Sequence, residues 1–215
     1  VSYEQKHTPF VILSNGRSRT FWLSEFLSYG HILCLHDIAF FIKEVDQIRR
    51  LLNTPTVGFA ESTACLYWRL IEYYRPDTKF VIVKRDLAQI VASGIKLLKT
   101  VGVEVYEDKY AAIVARHQRH FNTAAKFAEH KLVVDFEDLK EEACCKEVFE
   151  FCLPYKHDHD HWKKLEGQNL QTDSTLKTFE YFRRHNKRIE QVKAETLKKL
   201  REIRLNPVYS FEGAF

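Results

Sequence analysis

Five short apolar runs punctuate the first two thirds of the chain: FVIL at 10–13, ILCL at 32–35, TVGFA at 56–60, KFVIVK at 79–84 and KLVVDF at 131–136. Each is continuously apolar, the pattern of a strand covered on both faces. Apolar residues recur at helical spacing in the segments between them, which predicts helices over about 18–29, 43–52 and 62–74, from 86 onward, and over about 137–152. Strands alternating with helices need crossover connections and therefore a parallel sheet. The expected fold is α/β: a three-layer, doubly wound, mainly parallel sheet of about five strands, of the P-loop NTPase-like kind.

Beyond the fifth run the chain reads as helical. The charged segment 175–205 contains no proline and carries apolar residues at helical spacing, which predicts one or two long amphipathic helices. Its cluster Arg183, Arg184, His185, Lys187 and Arg188 is interspersed with acids nearby and reads as a solvated face. The chain is expected to be a single domain over 1–215, with a core at 9–152 and a helical C-terminal extension at 153–215. The turn-rich LPYKHDHD at 153–160 is the nearest thing to a boundary.

With 215 residues, 45% of them hydrophobic, the chain can bury one substantial core. No apolar run approaches the roughly 18 residues of a membrane span, and VSYEQKHTPF shows no signal-peptide pattern, so a cytoplasmic location is expected. The five cysteines are odd in number and lack paired metal spacing; buried free thiols are expected, without a disulfide framework. A net charge of +4, with bases and acids interspersed, lends little support to nucleic-acid binding and suits an anionic small molecule. No nucleic-acid partner is expected.

Between the first run and its helix lies SNGRSRTFW, Ser14 to Trp22. Unpaired N–H groups at a helix start carry the positive end of the helix dipole, and a strand-turn-helix junction can therefore receive an anion. Arg17 and Arg19 add charge there, and Ser18 and Thr20 add hydroxyl donors. A Walker A loop needs a second glycine and a lysine, which this stretch lacks, so an ordinary ATPase is disfavoured. A second anion-binding point follows the fourth run, in KRDLAQIVAS. Arg85 ends the strand, Asp86 can cap the next helix, and Ser93 falls about two turns into it. Strand C-termini line the crevice of a doubly wound sheet, which would bring Arg85 near the first loop.

Together these residues resemble the sulfotransferases that use 3′-phosphoadenosine 5′-phosphosulfate (PAPS). GRSRTFW is similar to that family's P-K/R-S-G-T-T-W loop, which holds the 5′-phosphosulfate. By that resemblance Gly16, Arg17, Ser18, Arg19, Thr20, Phe21 and Trp22 form the cofactor loop. The family's arginine and serine, eight residues apart and bound to the 3′-phosphate, match Arg85 and Ser93. LVVDFEDLK resembles the strand-helix junction usually written with Y-E-D-L. Arg19 stands in place of a glycine, Phe21 in place of a hydroxyl residue and Leu87 in place of a proline. The C-terminal R-K-G-x-x-G clamp of the cytosolic enzymes has no counterpart. These departures point to a divergent microbial, phage-like or carbohydrate-type branch.

The resemblance implies transfer of a sulfuryl group from PAPS to a hydroxyl or amine, in line, without a metal, leaving adenosine 3′,5′-bisphosphate (PAP). Arg17 is the expected electrostatic stabiliser, fixed in charge. Glu61, in ESTA just after the third strand, is similar to the glutamate base of heparan-type enzymes and is the first candidate for the base. His36 follows the second strand with an imidazole suited to proton transfer and is the second candidate. Asp37 beside it can cap a helix. The alternating KHDHDHW, ending at Trp162, suggests helix capping or an acceptor-side surface more than a metal site. The acceptor is expected to be a small molecule or carbohydrate. An ATP-dependent small-molecule or nucleotide kinase, or a noncatalytic anion-binding protein on the same fold, are the alternatives.

Overall fold

A computed structural model describes residues 8–38, 42, 44–100, 102–168 and 198. The expected strands all form: β1 (Phe10–Ser14), β2 (Leu33–His36), β3 (Val57–Glu61), β4 (Lys79–Lys84) and β5 (Lys131–Asp135). They make one five-stranded sheet in the order β2-β3-β1-β4-β5, with every pairing parallel. The α/β, P-loop-like architecture read from the alternating pattern is the one observed.

The reason is visible in β1. Phe10 and Ile12 point into one core, while Val11 and Leu13 point into the other, and all four are fully buried. The first core joins them to Leu23, Phe26 and Leu27 of α1 (Thr20–Leu27) and to Val148 and Phe149 of α6 (Glu142–Cys152). The second draws on α2 (Asp46–Leu52), α3 (Trp68–Tyr74) and α5 (Glu107–Phe127) through Ile48, Leu52, Leu70, Ile71 and Phe121. A side chain such as Phe26, wholly removed from water, contributes about 2–3 kcal/mol. A central strand buried on both sides leaves no room for polar alternation.

Two predicted helices are each split in two. Residues 62–74 split into a 3-10 turn, Ser62–Leu66, and α3, because the Glu61 side chain accepts from the Thr63 N–H and Tyr67 adopts φ −133°, outside the helical region. Likewise, residues 137–152 split into a 3-10 turn, Asp138–Lys140, and α6, with Glu141 extended between them. The helix after β4, α4, covers Leu87–Thr100. A last short helix, α7, covers His159–Leu165 and packs against α1. The amphipathic segment 175–205, with its basic cluster, lies outside the described residues, Lys198 apart. Among the described residues no helix is long and apolar enough to cross a membrane. All five cysteines are free thiols; four are buried and Cys144 is partly buried.

Candidate active site

β1 lies between β3 and β4, so the turns leaving these three strands share the C-terminal edge of the sheet. The turn after β1 runs through Asn15, Gly16, Arg17, Ser18 and Arg19 into α1. Its left-handed residues are the two arginines, Arg17 at φ 70° and Arg19 at φ 61°. Gly16 does not share that conformation, and a Cβ placed on it would meet no atom within 4 Å. Thus the glycine leaves bare backbone facing open space, while the arginines absorb the strain of the turn.

The two arginines have opposite fates. Arg19, at the position where the resembled loop has glycine, turns away: its guanidinium donates to the Leu139 carbonyl at 2.6 Å and lies 5.3 Å from the Trp22 ring centroid. Arg17 donates through Nε to Ser93 Oγ on α4 at 3.2 Å. Arg85, from the end of β4, donates to the Arg17 carbonyl and stacks 4.0 Å from the Phe136 ring. Burial, and then the charge of Arg85, hold Arg17 below the ordinary arginine range; burial does the same to Arg85.

Two donors in this crevice have no partner. Ser18 Oγ is fully buried without a hydrogen bond, and so is Arg85 Nε. Leaving such donors unpaired is costly, about 1–3 kcal/mol each, a cost that an anion reaching them would remove. Arg17, Arg85 and Ser93 are joined by hydrogen bonds, with Ser18 next to Arg17 in the turn, and their chemistry fits a multiply charged anion.

Thr20 and the base candidates form a second group. Thr20 Oγ1 lies 3.0 Å from His36 Nε2, and His36 Nδ1 lies 3.4 Å from Asp37 Oδ2. The Phe21 ring meets the imidazole edge-on at 5.2 Å. Burial lowers His36 from 6.5 to about 4, so the ring is neutral near neutral pH and only weakly basic. Glu61 is fully buried, and its Oε1 accepts from Thr63 N at 2.9 Å and Thr63 Oγ1 at 2.7 Å. Asp37 sits one residue past β2 at φ 51°, its N–H donating to the Ala60 carbonyl at 3.1 Å, which brings it beside the end of β3. Burial, then the Glu61 charge, raise its carboxyl well above the usual aspartate range.

Trp22 belongs elsewhere. Its ring stacks on Phe26 at 4.9 Å, its Nε1 donates to the Leu165 carbonyl at 2.9 Å, and it is 4% exposed. It anchors α1 to α7 within the core, and an aromatic at this position of the motif therefore carries packing here. The KHDHDHW histidines are also structural. His157 and His159 reach one oxygen of Glu142, at 3.0 and 2.8 Å, and Asp158 caps α7 by accepting from His161 N at 3.0 Å. The Glu142 contact raises His159 above the ordinary histidine value. Among the described residues no group of three or more His, Cys, Asp and Glu side chains is placed to hold a metal ion.

Three further residues join the site without a sequence signal of their own. Asn15, 4% exposed, donates through its amide to Gln118 on α5 and so fixes the turn to the far side of the crevice. Tyr110, also on α5, closes against Gly94, next to Ser93, so tightly that a Cβ at Gly94 would overlap its ring. The Arg17 charge opposes the upward shift that burial gives the Tyr110 phenol. Asp37 was legible only as a neighbour of His36.

The fold is a known one. The structure is similar to a sulfotransferase domain from the curacin biosynthetic pathway, with a TM-score of 0.54 and 12% identity, covering 78% of this chain and 81% of that one. It is also similar to a sulfotransferase from Alicyclobacillus acidocaldarius, with a TM-score of 0.53 and 14% identity, covering 86% and 94%. No family model and no curated protein sequence matches the chain. At these identities the likeness defines a sulfotransferase-type fold.

Proposed function

We infer that this chain is a sulfotransferase that moves a sulfuryl group from PAPS to a hydroxyl or amine by direct in-line transfer. The observation that carries the reading is the crevice where Arg17 and Arg85 lie close together beside the unpartnered Ser18 Oγ and Arg85 Nε. Partly buried like charges with donors to spare are stabilised by an anion of more than one charge.

Ser18, Thr20 and the N–H groups of the turn from Gly16 to Phe21 would hold the 5′-phosphosulfate, and Arg85 with Ser93 the 3′-phosphate. PAPS supplies the activated sulfuryl group. Arg17 neutralises charge that builds on the oxygens around the transferred group. The base comes from the carboxylate–imidazole group at the ends of β2 and β3, with Glu61 and His36 as its sequence-derived members. The acceptor is a small molecule or carbohydrate, the setting cytoplasmic, and no metal takes part. The kinase alternative lacks a Walker lysine and leaves Ser93 and Arg85 without a 3′-phosphate to bind.

The test is transfer of label from ³⁵S-PAPS to a panel of phenols, alcohols, amines and oligosaccharides. The reading predicts a labelled product with the wild type and a loss of about a hundredfold or more with Arg17→Ala. Labelling from γ-³²P-ATP instead, or the same ³⁵S yield from Arg17→Ala, contradicts it.

A further inference from the structure

Neither base candidate read from the sequence combines access with basicity: Glu61 is closed off, and His36, with 20% of its side chain open, is only weakly basic. Glu61 is fully buried and commits one carboxylate oxygen to the Thr63 N–H and hydroxyl. His36 has one ring nitrogen on Thr20, the other toward Asp37, and a conjugate acid that forms only at about 4. A useful base must reach the acceptor and hold a proton near the working pH.

Asp37 meets both requirements. About a fifth of its side chain, 21%, is open to solvent at the edge of the sheet. Its left-handed backbone, φ 51°, is an uncommon conformation for a residue with a side chain, and its N–H extends the β2–β3 ladder to Ala60. That places the carboxyl where the ends of β2 and β3 meet. Among the described residues the titratable groups that face it are His36 on β2, Glu61 at the end of β3 and Tyr67 just before α3. None is a permanent cation. Burial and the Glu61 charge both favour the protonated carboxyl, so the proton affinity of Asp37 exceeds that of an ordinary aspartate.

We propose that Asp37 is the catalytic base of the sulfuryl transfer, with Glu61 as a positioning residue behind it and the His36–Thr20 contact tying it to the anion loop. The proposal rests on the sulfotransferase reading above. As the acceptor oxygen or nitrogen bonds to sulfur, the bond from sulfur to the bridging phosphate oxygen breaks and its electron pair leaves on the bisphosphate. The acceptor's proton passes to an Asp37 carboxylate oxygen, and water removes it from the exposed edge of the side chain. Asp37 must be ionised at the start, so the rate rises with pH as this carboxyl deprotonates.

Three readouts test the assignment. In a ¹³C-detected titration of the aspartate carboxyls, with the Asp37 signal assigned through Asp37→Asn, the Asp37 midpoint should lie above the ordinary 3.8 and fall in Glu61→Gln. Asp37→Asn should bind PAP within about threefold of the wild type. The same variant should consume PAPS, with water as the probe acceptor, about a hundredfold more slowly, lose the alkaline rise of the pH profile, and recover part of both as Asp37→Glu. An ordinary midpoint indifferent to Glu61 overturns the proposal, and this titration decides the matter if turnover with water is too slow to follow. An unchanged rate or an unchanged pH profile in Asp37→Asn also overturns it. A wild type that binds PAP no better than ADP is a separate result: it removes the sulfotransferase reading and the base assignment falls with it.

Discussion

Arg17 and Ser93, 76 positions apart in the chain, are joined by a hydrogen bond of 3.2 Å from the guanidinium Nε to the hydroxyl. One comes from the turn after β1 and the other from the second turn of α4, so the bond spans the two halves of the candidate anion site. Ser93→Ala removes a donor from the side proposed to hold the 3′-phosphate and releases Arg17. We predict that it weakens PAP binding about tenfold, leaves ADP binding within about twofold, and changes the unfolding midpoint little. Parallel calorimetry with the two nucleotides checks this.

The strain in the β1 turn can be measured directly. Arg19→Gly and Arg19→Ala both lose the Leu139 hydrogen bond and the Trp22 contact, but only glycine is free of strain at φ 61°. The glycine variant should be more stable than the alanine variant by about 1 kcal/mol in urea unfolding. Equal stability would mean that the turn relaxes when Arg19 is removed.

Gly58, in the middle of β3, faces the Phe10 ring so closely that a Cβ would overlap it, and Phe10 is fully buried. Neither the sheet nor the ring can move aside at low cost. Gly58→Ala should therefore destabilise by about 1–3 kcal/mol, and Phe10→Leu in the same chain should restore part of the loss. Purely additive effects would contradict the contact.

Acid should act through His36. Burial lowers its folded-state value from 6.5 to about 4, so the unfolded chain binds the proton more readily. The stability associated with the neutral ring is fully present above 6.5 and is lost as pH falls from 6.5 toward 4. Asp37, held above its ordinary range, shifts the other way, but it is common to the wild type and to His36→Gln. Between neutrality and about pH 5 the wild type should lose about 2 kcal/mol more than His36→Gln, as read by urea unfolding at both values.

The fold was legible because β1 and β4 are apolar on both faces, and no half-exposed strand produces that pattern. The proximity of Arg17, Arg85 and Ser93 was legible because each stands at a fixed distance from a strand end, where topology alone brings them together. Trp22 matched a motif, yet one turn of helix swings it from the loop into the core, a difference of direction that spacing alone does not encode. Gln118 reaches Asn15 across 103 positions on a helix of otherwise ordinary polar residues, so nothing local marks it. Asp37 depends on a left-handed backbone at a strand end, and a non-glycine residue gives no warning of that conformation.

The proposed site takes a nucleotide with a 3′-phosphate, held by Arg85 and Ser93 beside the Arg17 turn. Calorimetric titration with PAP, ADP and ATP tests it without any knowledge of the acceptor. The account predicts micromolar binding of PAP, about tenfold or more tighter than ADP, with Arg85→Ala abolishing the preference. Equal affinity for PAP and ADP, or a preference that survives Arg85→Ala, would contradict it.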